Sequence, residues 1–388
     1  MASRLLDIAN LANKKSRYIL GCLSGTSMDG VDAALFELNG SGRNTTFRCI
    51  FGKTYSYPKI LKKKLAEIAY KPESKISEII PLKWEVGVFF ADVINDCKAA
   101  ARSKGYEIDC VGSHGQTLFH LDGINGNKGS LQIGEGDLVS TITGLPVVSD
   151  FRQKDIALGG TGAPLAPYVD ELLFQNNEES RVLLNIGGIA NITYLPKKYV
   201  YGASIAFDTG PGNTLMDAYC KLHKKGDFDE NGDYARSGKV NEQLLNILLA
   251  HPYFSRSIPK STGQELFNLE YLNASLEKSD TRKNDFNSVM ATLNKLTAKS
   301  IAESVKQVCS EPGAVIYVNG GGVHNETLIE NIKNQTGMTV NSIQELGIDP
   351  DYKETLIFSV LTNEFLAGSG FYSHRSRRDI QFGKLSLP

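Results

Sequence analysis

Apolar and polar positions change period several times along the chain, and each change predicts an element. Tyr18-Ile19-Leu20-Gly21-Cys22-Leu23 is an apolar run of strand length. The polar stretch 24–30 breaks it, and Val31-Asp32-Ala33-Ala34-Leu35-Phe36-Glu37-Leu38 resumes it as a second strand. A third strand is predicted over 47–57, helices over 58–69 and 77–103, and a further strand over 108–112. The second half repeats that order with a strand over 181–186, the turn Gly187-Gly188, a strand over 190–195, and another over 203–207 that ends at Asp208. A helix over 215–223 follows, then helices over 241–250 and 288–309, the apolar strand 314–318, the triplet Gly320-Gly321-Gly322 and a helix over 326–335. Two halves with one order of elements predict a duplicated α/β architecture with a cleft between the halves. The boundary is expected near 149–162. Residues 1–16 are amphipathic and lack the apolar centre of a secretory signal, so they read as a surface helix or an added extension.

Composition narrows the function more than the fold. The 388 residues suit two domains, and 41% apolar with 22% charged residues is ordinary for a globular chain. Forty-two basic residues against 43 acidic ones give a net charge of −1, which leaves no electrostatic footprint for a nucleic acid. No apolar run reaches the roughly 18 residues that a membrane span needs. Six scattered cysteines, without a CxxC pair, fit a reduced cytoplasmic chain. Glycine is the outlier, with 37 residues, many in pairs and triplets.

The candidate chemistry sits at those glycines. Gly25-Thr26-Ser27-Met28-Asp29-Gly30-Val31-Asp32 fills the first strand–strand turn. Small residues there let backbone N–H groups converge on phosphate oxygens, and Asp29 and Asp32 are candidate magnesium ligands. The competing reading is a plain polar hairpin. Gly187, Gly188 and Asn191 occupy the equivalent turn of the second half, and two such turns facing each other would clamp a polyphosphate. Asp208 ends a strand ahead of Gly210, Gly212 and Asn213, which makes it a candidate general base or a helix cap. Gly320, Gly321 and Gly322 could admit the flat face of an adenine, where a plain strand-to-helix turn needs one glycine. His114 and Thr117 follow another strand, and His114 reads either as a substrate contact or as a core imidazole. Arg152 could pair with an anionic substrate or with a structural carboxylate. Gly52-Lys53-Thr54 is no P-loop, because Phe47 stands where the first glycine is required.

Taken in order, LSGTSMDGVD, SHGQT, SDFRQKDIALGGTGAPL, NIGGIAN, FDTGPGNTLMDAY, PKSTGQELFN and NGGGVHN resemble the anhydro-N-acetylmuramic acid kinase family over about residues 18–365. The resemblance implies the actin, heat-shock ATPase and sugar-kinase superfamily: two related ribonuclease H-like domains, with an interdomain cleft closing over ATP. It implies a first phosphate loop at 25–32, a second at 185–191, and an adenosine pocket at 320–322. The catalytic aspartate falls on Asp208, a second active-site carboxylate on Glu354, and sugar contacts on His114, Thr117 and Arg152. ATP and magnesium are the implied cofactors, a small anhydrosugar is the substrate, and members of the family are commonly homodimers. Domain I is expected to span 1–149 plus 366–388, and domain II 150–365. Asn319 stands where bacterial members often carry Cys. A levoglucosan-type kinase and a non-catalytic nucleotide-gated clamp of the same superfamily are the alternatives.

Overall fold

The computed structural model describes residues 4–25, 27–122, 127–198, 203–279, 285–309, 313–373 and 378–388. The chain separates into two compact units, 1–173 with 352–388 and 174–351. In chain order the strands are β1 (Ser16–Ser24), β2 (Gly30–Asn39), β3 (Thr46–Ser56), β4 (Cys110–Asp122), β5 (Lys128–Ile133) and β6 (Val147–Ser149). They continue with β7 (Arg181–Ile186), β8 (Ile189–Leu195), β9 (Ile205–Pro211), β10 (Val315–Asn319) and β11 (Thr339–Ser342). The last three are β12 (Phe371–Ser373), β13 (Arg378–Ile380) and β14 (Lys384–Ser386).

The first unit carries a sheet in the order β14-β6-β4-β1-β2-β3, with β5 on the side of β4, and a small β12–β13 hairpin. There β1, β2 and β3 pair antiparallel, while β1 with β4 and β4 with β6 pair parallel. The second unit repeats the plan as β11-β10-β7-β8-β9. Its β7, β8 and β9 are antiparallel, and β7–β10 and β10–β11 are parallel. Order and sense agree over five strands of each sheet, β6-β4-β1-β2-β3 and β11-β10-β7-β8-β9, so the duplication expected from element order is present: two ribonuclease H-like α/β units. β1 and β7 are interior strands, each between one parallel and one antiparallel neighbour, and are buried along most of their length, which is why they read as apolar runs.

Each unit has its own core. In the first, the helix Ile76–Ser103 packs Val86, Phe90, Ile94 and Cys97 among Leu20, Cys22 and Leu35 of the sheet. In the second, the helix Phe286–Val308 packs Met290, Leu293, Leu296 and Ile301 among Val182, Leu184 and Ile192. The extension before Arg17 includes a helix, Arg4–Ala12. Arg17, 3% exposed, donates to the carbonyls of Leu11 (2.9 Å) and Ala12 and to Asn363 Oδ1 (2.8 Å), so it caps that helix and ties it to the fold.

The units divide at 173/174 and 351/352, whereas the sequence places the domain boundaries at 149/150 and 365/366. Packing gives the reason. The helix Lys353–Ala367 lies directly on β1 and β4, because a Cβ at Gly21 or Gly112 would overlap the carbonyl of Thr355 or Phe358. The helix Ala166–Phe174 is held to the same unit by Tyr168, whose ring meets Phe371 edge-on and Phe382 at a tilt, and by the Asp170–Lys353 ion pair. One strand also differs from its expected length. β4 continues through Ser113–Thr117 to Asp122, by way of a register shift and a positive φ at Gly115, so that motif lies in a strand rather than after one. Among the described residues no helix is long and apolar enough to cross a membrane.

Candidate active site

In the first unit the turn between β1 and β2 is braced from β4. Gln116, fully buried, accepts from Ser24 Oγ (2.6 Å) and donates to the Gly25 carbonyl (3.3 Å), which also accepts from Met28 N (3.2 Å). Space above Gly25 is open, and Ser27 is exposed. Val31 is buried in the core, so only its backbone could meet a ligand. Thr26 lies outside the described residues. Asp29 is exposed and paired with Lys62, and Asp32 Oδ1 accepts from Thr54 Oγ1 at 2.6 Å. Both carboxylates are hard oxygen donors of the kind magnesium uses, one or two at a time, with its other ligands from phosphate and water. The described residues hold no cluster of three or more potential metal-ligating side chains.

His114, Thr117 and Arg152 also lie in the first unit. Arg152 Nε donates to His114 Nε2 at 3.1 Å, which assigns the imidazole proton to Nδ1, 3.3 Å from the Gly115 carbonyl. Burial, reinforced by the adjacent guanidinium, pushes the His114 pKa down to about 3. The imidazole is therefore neutral at physiological pH, and both of its nitrogens are engaged. Thr117 Oγ1 accepts from Gln132 Nε2 at 3.1 Å. Glu354 stands in the first turn of the helix Lys353–Ala367. It keeps a solvent-exposed surface, yet desolvation by the protein around it raises its pKa; Asp32 adds to that rise, while Lys353 and Arg152 oppose it.

In the second unit three loops interlock. The Gly188 carbonyl accepts from Gly212 N (2.8 Å) and Thr214 N (3.2 Å), and the Gly187 carbonyl accepts from Asn213 N (2.8 Å). Asn213 Nδ2 reaches the Ile186 carbonyl at 3.4 Å, and Thr297 Oγ1 donates to the carbonyls of Pro211 and Gly212, each at 3.0 Å. A Cβ on Gly212 would overlap the Gly187 carbonyl oxygen. Gly320 and Gly322 press against Asn185 and Ile186, whereas a Cβ on Gly321 would meet only Asn213 Nδ2, at 4.0 Å. The N–H groups of Gly212 and Asn213 thus fasten the Gly187-Gly188 turn. Gly210 lies inside β9, where φ is +148°.

Asp208 sits on β9 opposite Asn191 of β8. Its Oδ2 accepts from Thr262 N at 2.9 Å, its N–H donates to the Lys260 carbonyl at 3.0 Å, and its carbonyl accepts from Tyr253 Oη at 2.6 Å. Helix capping is not its role: the helix Thr214–Leu222 begins after Asn213, and the Asp208 carboxylate binds Thr262 instead. Burial lifts its pKa to about 6; the Thr262 N–H works against that rise, and Glu265 adds to it. A half-buried carboxylate poised near neutrality is equipped to take a proton from water. Tyr253, Lys260 and Thr262 were not singled out from the sequence, although PKSTGQELFN contains two of them.

Comparison with known proteins agrees in one direction. The sequence profile described as anhydro-N-acetylmuramic acid kinase matches residues 17–370. The anhydro-N-acetylmuramic acid kinase of Pseudoalteromonas translucida is 38% identical over 100% of both chains, and that of Pseudoalteromonas atlantica is 39% identical over 100% of both. The Coxiella burnetii protein of the same name is 38% identical over 91% of each chain. A ROK family glucokinase from Streptomyces griseus, solved with glucose and AMPPNP, is 12% identical and covers 88% of this chain and 98% of its own, with a TM-score of 0.36.

Proposed function

Because the chain belongs to the anhydro-N-acetylmuramic acid kinase family, we infer that it opens 1,6-anhydro-N-acetylmuramic acid with water and transfers the γ-phosphoryl group of ATP to the freed O6. The products are N-acetylmuramic acid 6-phosphate and ADP, and the reaction serves the recycling of cell-wall peptidoglycan in the cytoplasm. The observation that carries the chemistry is the Asp208 carboxylate, half-buried, held by Thr262 N at 2.9 Å and raised to about 6.

The substrate is an internal acetal in which O6 is tied to C1. Water attacks C1 as O6 leaves, with Asp208 as the base, in the manner of an inverting glycosidase. The departing O6 needs no general acid, because the phosphoryl group captures it. Glu354 orients the water or the sugar hydroxyls. Arg152 pairs with the lactyl carboxylate, a charge that levoglucosan lacks. His114, with both nitrogens occupied, serves that contact by aiming the guanidinium, and Thr117 adds a hydroxyl for the sugar. The turn at 25–32, with Thr26, and the loops carrying Gly187, Gly188, Asn191, Gly210, Gly212 and Asn213 hold the phosphates, while the adenine lies over Gly320–Gly322. A magnesium ion held by Asp29, Asp32 and phosphate oxygens would draw charge off the transferring group.

ADP release measured with ATP and either 1,6-anhydro-N-acetylmuramic acid or levoglucosan tests this reading. Release that depends on the amino sugar supports it; equal release with both sugars points to the levoglucosan-type kinase, and release with neither points to the clamp. Two further outcomes are expected. Asp208 must be ionised to act, so kcat/KM falls about tenfold per pH unit below roughly pH 6 and is flat above it; a limb that stays near the ordinary carboxylate value of 3.8 would contradict the assignment. Gly212→Ala forces the loop off the Gly187 carbonyl at an overpacking cost of about 1–3 kcal/mol. A KM for ATP raised about tenfold is expected, and an unchanged KM would free Gly212 from the nucleotide site.

A further inference from the structure

Resting on the kinase reading and deepening it, we propose that the Thr262 hydroxyl is a catalytic group. It accepts the second hydrogen of the water that Asp208 deprotonates, which leaves a lone pair of that water facing the acetal carbon.

Thr262 is joined to the base through its own backbone, whose N–H donates to Asp208 Oδ2 at 2.9 Å. The hydroxyl oxygen is three covalent bonds from that nitrogen. It is buried, and it has no hydrogen-bond partner among the described residues. A buried hydroxyl without a partner is costly, and valine would fill the same volume without that cost. A hydroxyl kept at the shoulder of a half-buried acid is accounted for by a partner that arrives with the reaction.

The segment that carries it is fixed. Lys260, 7% exposed, accepts from Asp208 N through its carbonyl at 3.0 Å. Its ammonium donates to the carbonyls of Tyr253 (3.3 Å) and Phe254 (3.2 Å) and lies 4.7 Å from the centroid of the Tyr253 ring. Tyr253 closes the circuit by donating to the Asp208 carbonyl at 2.6 Å. Asp208 and Thr262, 54 positions apart in sequence, are thereby held as one rigid pair. A water bonded to a carboxylate alone can rotate about that bond; a second fixed acceptor removes the rotation and aims the attack.

The step balances. The water oxygen bonds to C1 as the C1–O6 bond breaks, and O6 bonds to the γ-phosphorus as the bond to the ADP oxygen breaks. One water proton passes to Asp208. The other stays on the new C1 hydroxyl, where Thr262 has held it.

The test uses the full chain with ATP and 1,6-anhydro-N-acetylmuramic acid, comparing Thr262→Val, Thr262→Ser and Asp208→Asn. Thr262→Val keeps the backbone donor to Asp208. Its kcat is expected to fall about tenfold or more, with the KM for ATP and the pH limb near 6 unchanged and the melting temperature unchanged or raised, and Thr262→Ser is expected to restore turnover. Thr262→Val with parental kcat, while Asp208→Asn stays inactive, overturns this proposal alone. A loss that Ser does not restore, or that comes with a lowered melting temperature, overturns it in favour of a structural role. A parent enzyme without sugar-dependent ADP release removes the kinase reading and this proposal together, whereas an active Asp208→Asn removes the role of Asp208 and this proposal with it.

Discussion

Asn in place of Asp208 is expected to bind ATP as the parent does and to lose turnover by at least about 10²–10⁴-fold, the contribution of a positioned base. That factor is about 3–5 kcal/mol of barrier. The amide keeps the shape of the carboxylate and can still accept from Thr262 N, so the loops that carry the glycines are undisturbed. Stability moves the other way. The folded pKa of Asp208 is about 6 against an ordinary 3.8, so the folded state holds the proton more tightly than the unfolded chain does. The stabilising effect of that proton is full below about 3.8 and is lost as the pH rises through about 6. At pH 8 the ionised carboxylate is a burden on the fold, and Asp208→Asn is expected to melt at the same temperature as the parent or higher. Steady-state ADP release, nucleotide titration and a thermal melt read these outcomes; turnover within a few-fold of the parent would refute the role of Asp208.

Breaking the Lys353–Asp170 pair is expected to have the largest effect on stability. Lys353 Nζ lies 2.9 and 3.0 Å from the two carboxylate oxygens, and the side chains are 6% and 1% exposed. Lys353→Met takes away the ammonium that faces a buried carboxylate, which typically costs about 3–5 kcal/mol. At roughly 2–4 °C per kcal/mol for a unit of this size, the melting temperature should fall by about 10 °C. The double variant Lys353→Met with Asp170→Leu replaces the pair by apolar groups of similar size and is expected to recover most of the loss. A single variant that melts with the parent would show that the pair contributes little.

The sequence reads best where one physical cause acts alone. β7 was legible to the residue, because its apolar run is bounded by Arg181 and by Gly187-Gly188. β10 and the helix Glu326–Thr336 were read to within a residue for the same reason, with glycines marking the turn between them. The short strands β6 and β11 were missed, since three or four residues carry too little periodicity to stand out. Glu354 was identified by resemblance, yet its helix was assigned to the wrong side of the division. The packing that places it, with the helix laid on Gly21 and Gly112, joins residues more than two hundred positions apart. Asp208 was legible as an acid on the third strand of its half, although β9 runs through it to Pro211 instead of ending there. Its partner Thr262 was not, because the contact depends on how the segment after Tyr253 folds back over β9. Lys353 gave no signal at all, since a buried lysine and an exposed one look alike until Asp170 is beside it.

In the proposed reaction water attacks carbon while O6 attacks phosphorus in the same turnover. Running the reaction in ¹⁸O-enriched water and analysing the products promptly by mass spectrometry tests it most directly. One labelled oxygen in the sugar, as its new hydroxyl, and none in the phosphoryl group is the expected result. Label in the phosphoryl group, or in inorganic phosphate released at the rate of ADP, would mean that water attacks phosphorus and would contradict it.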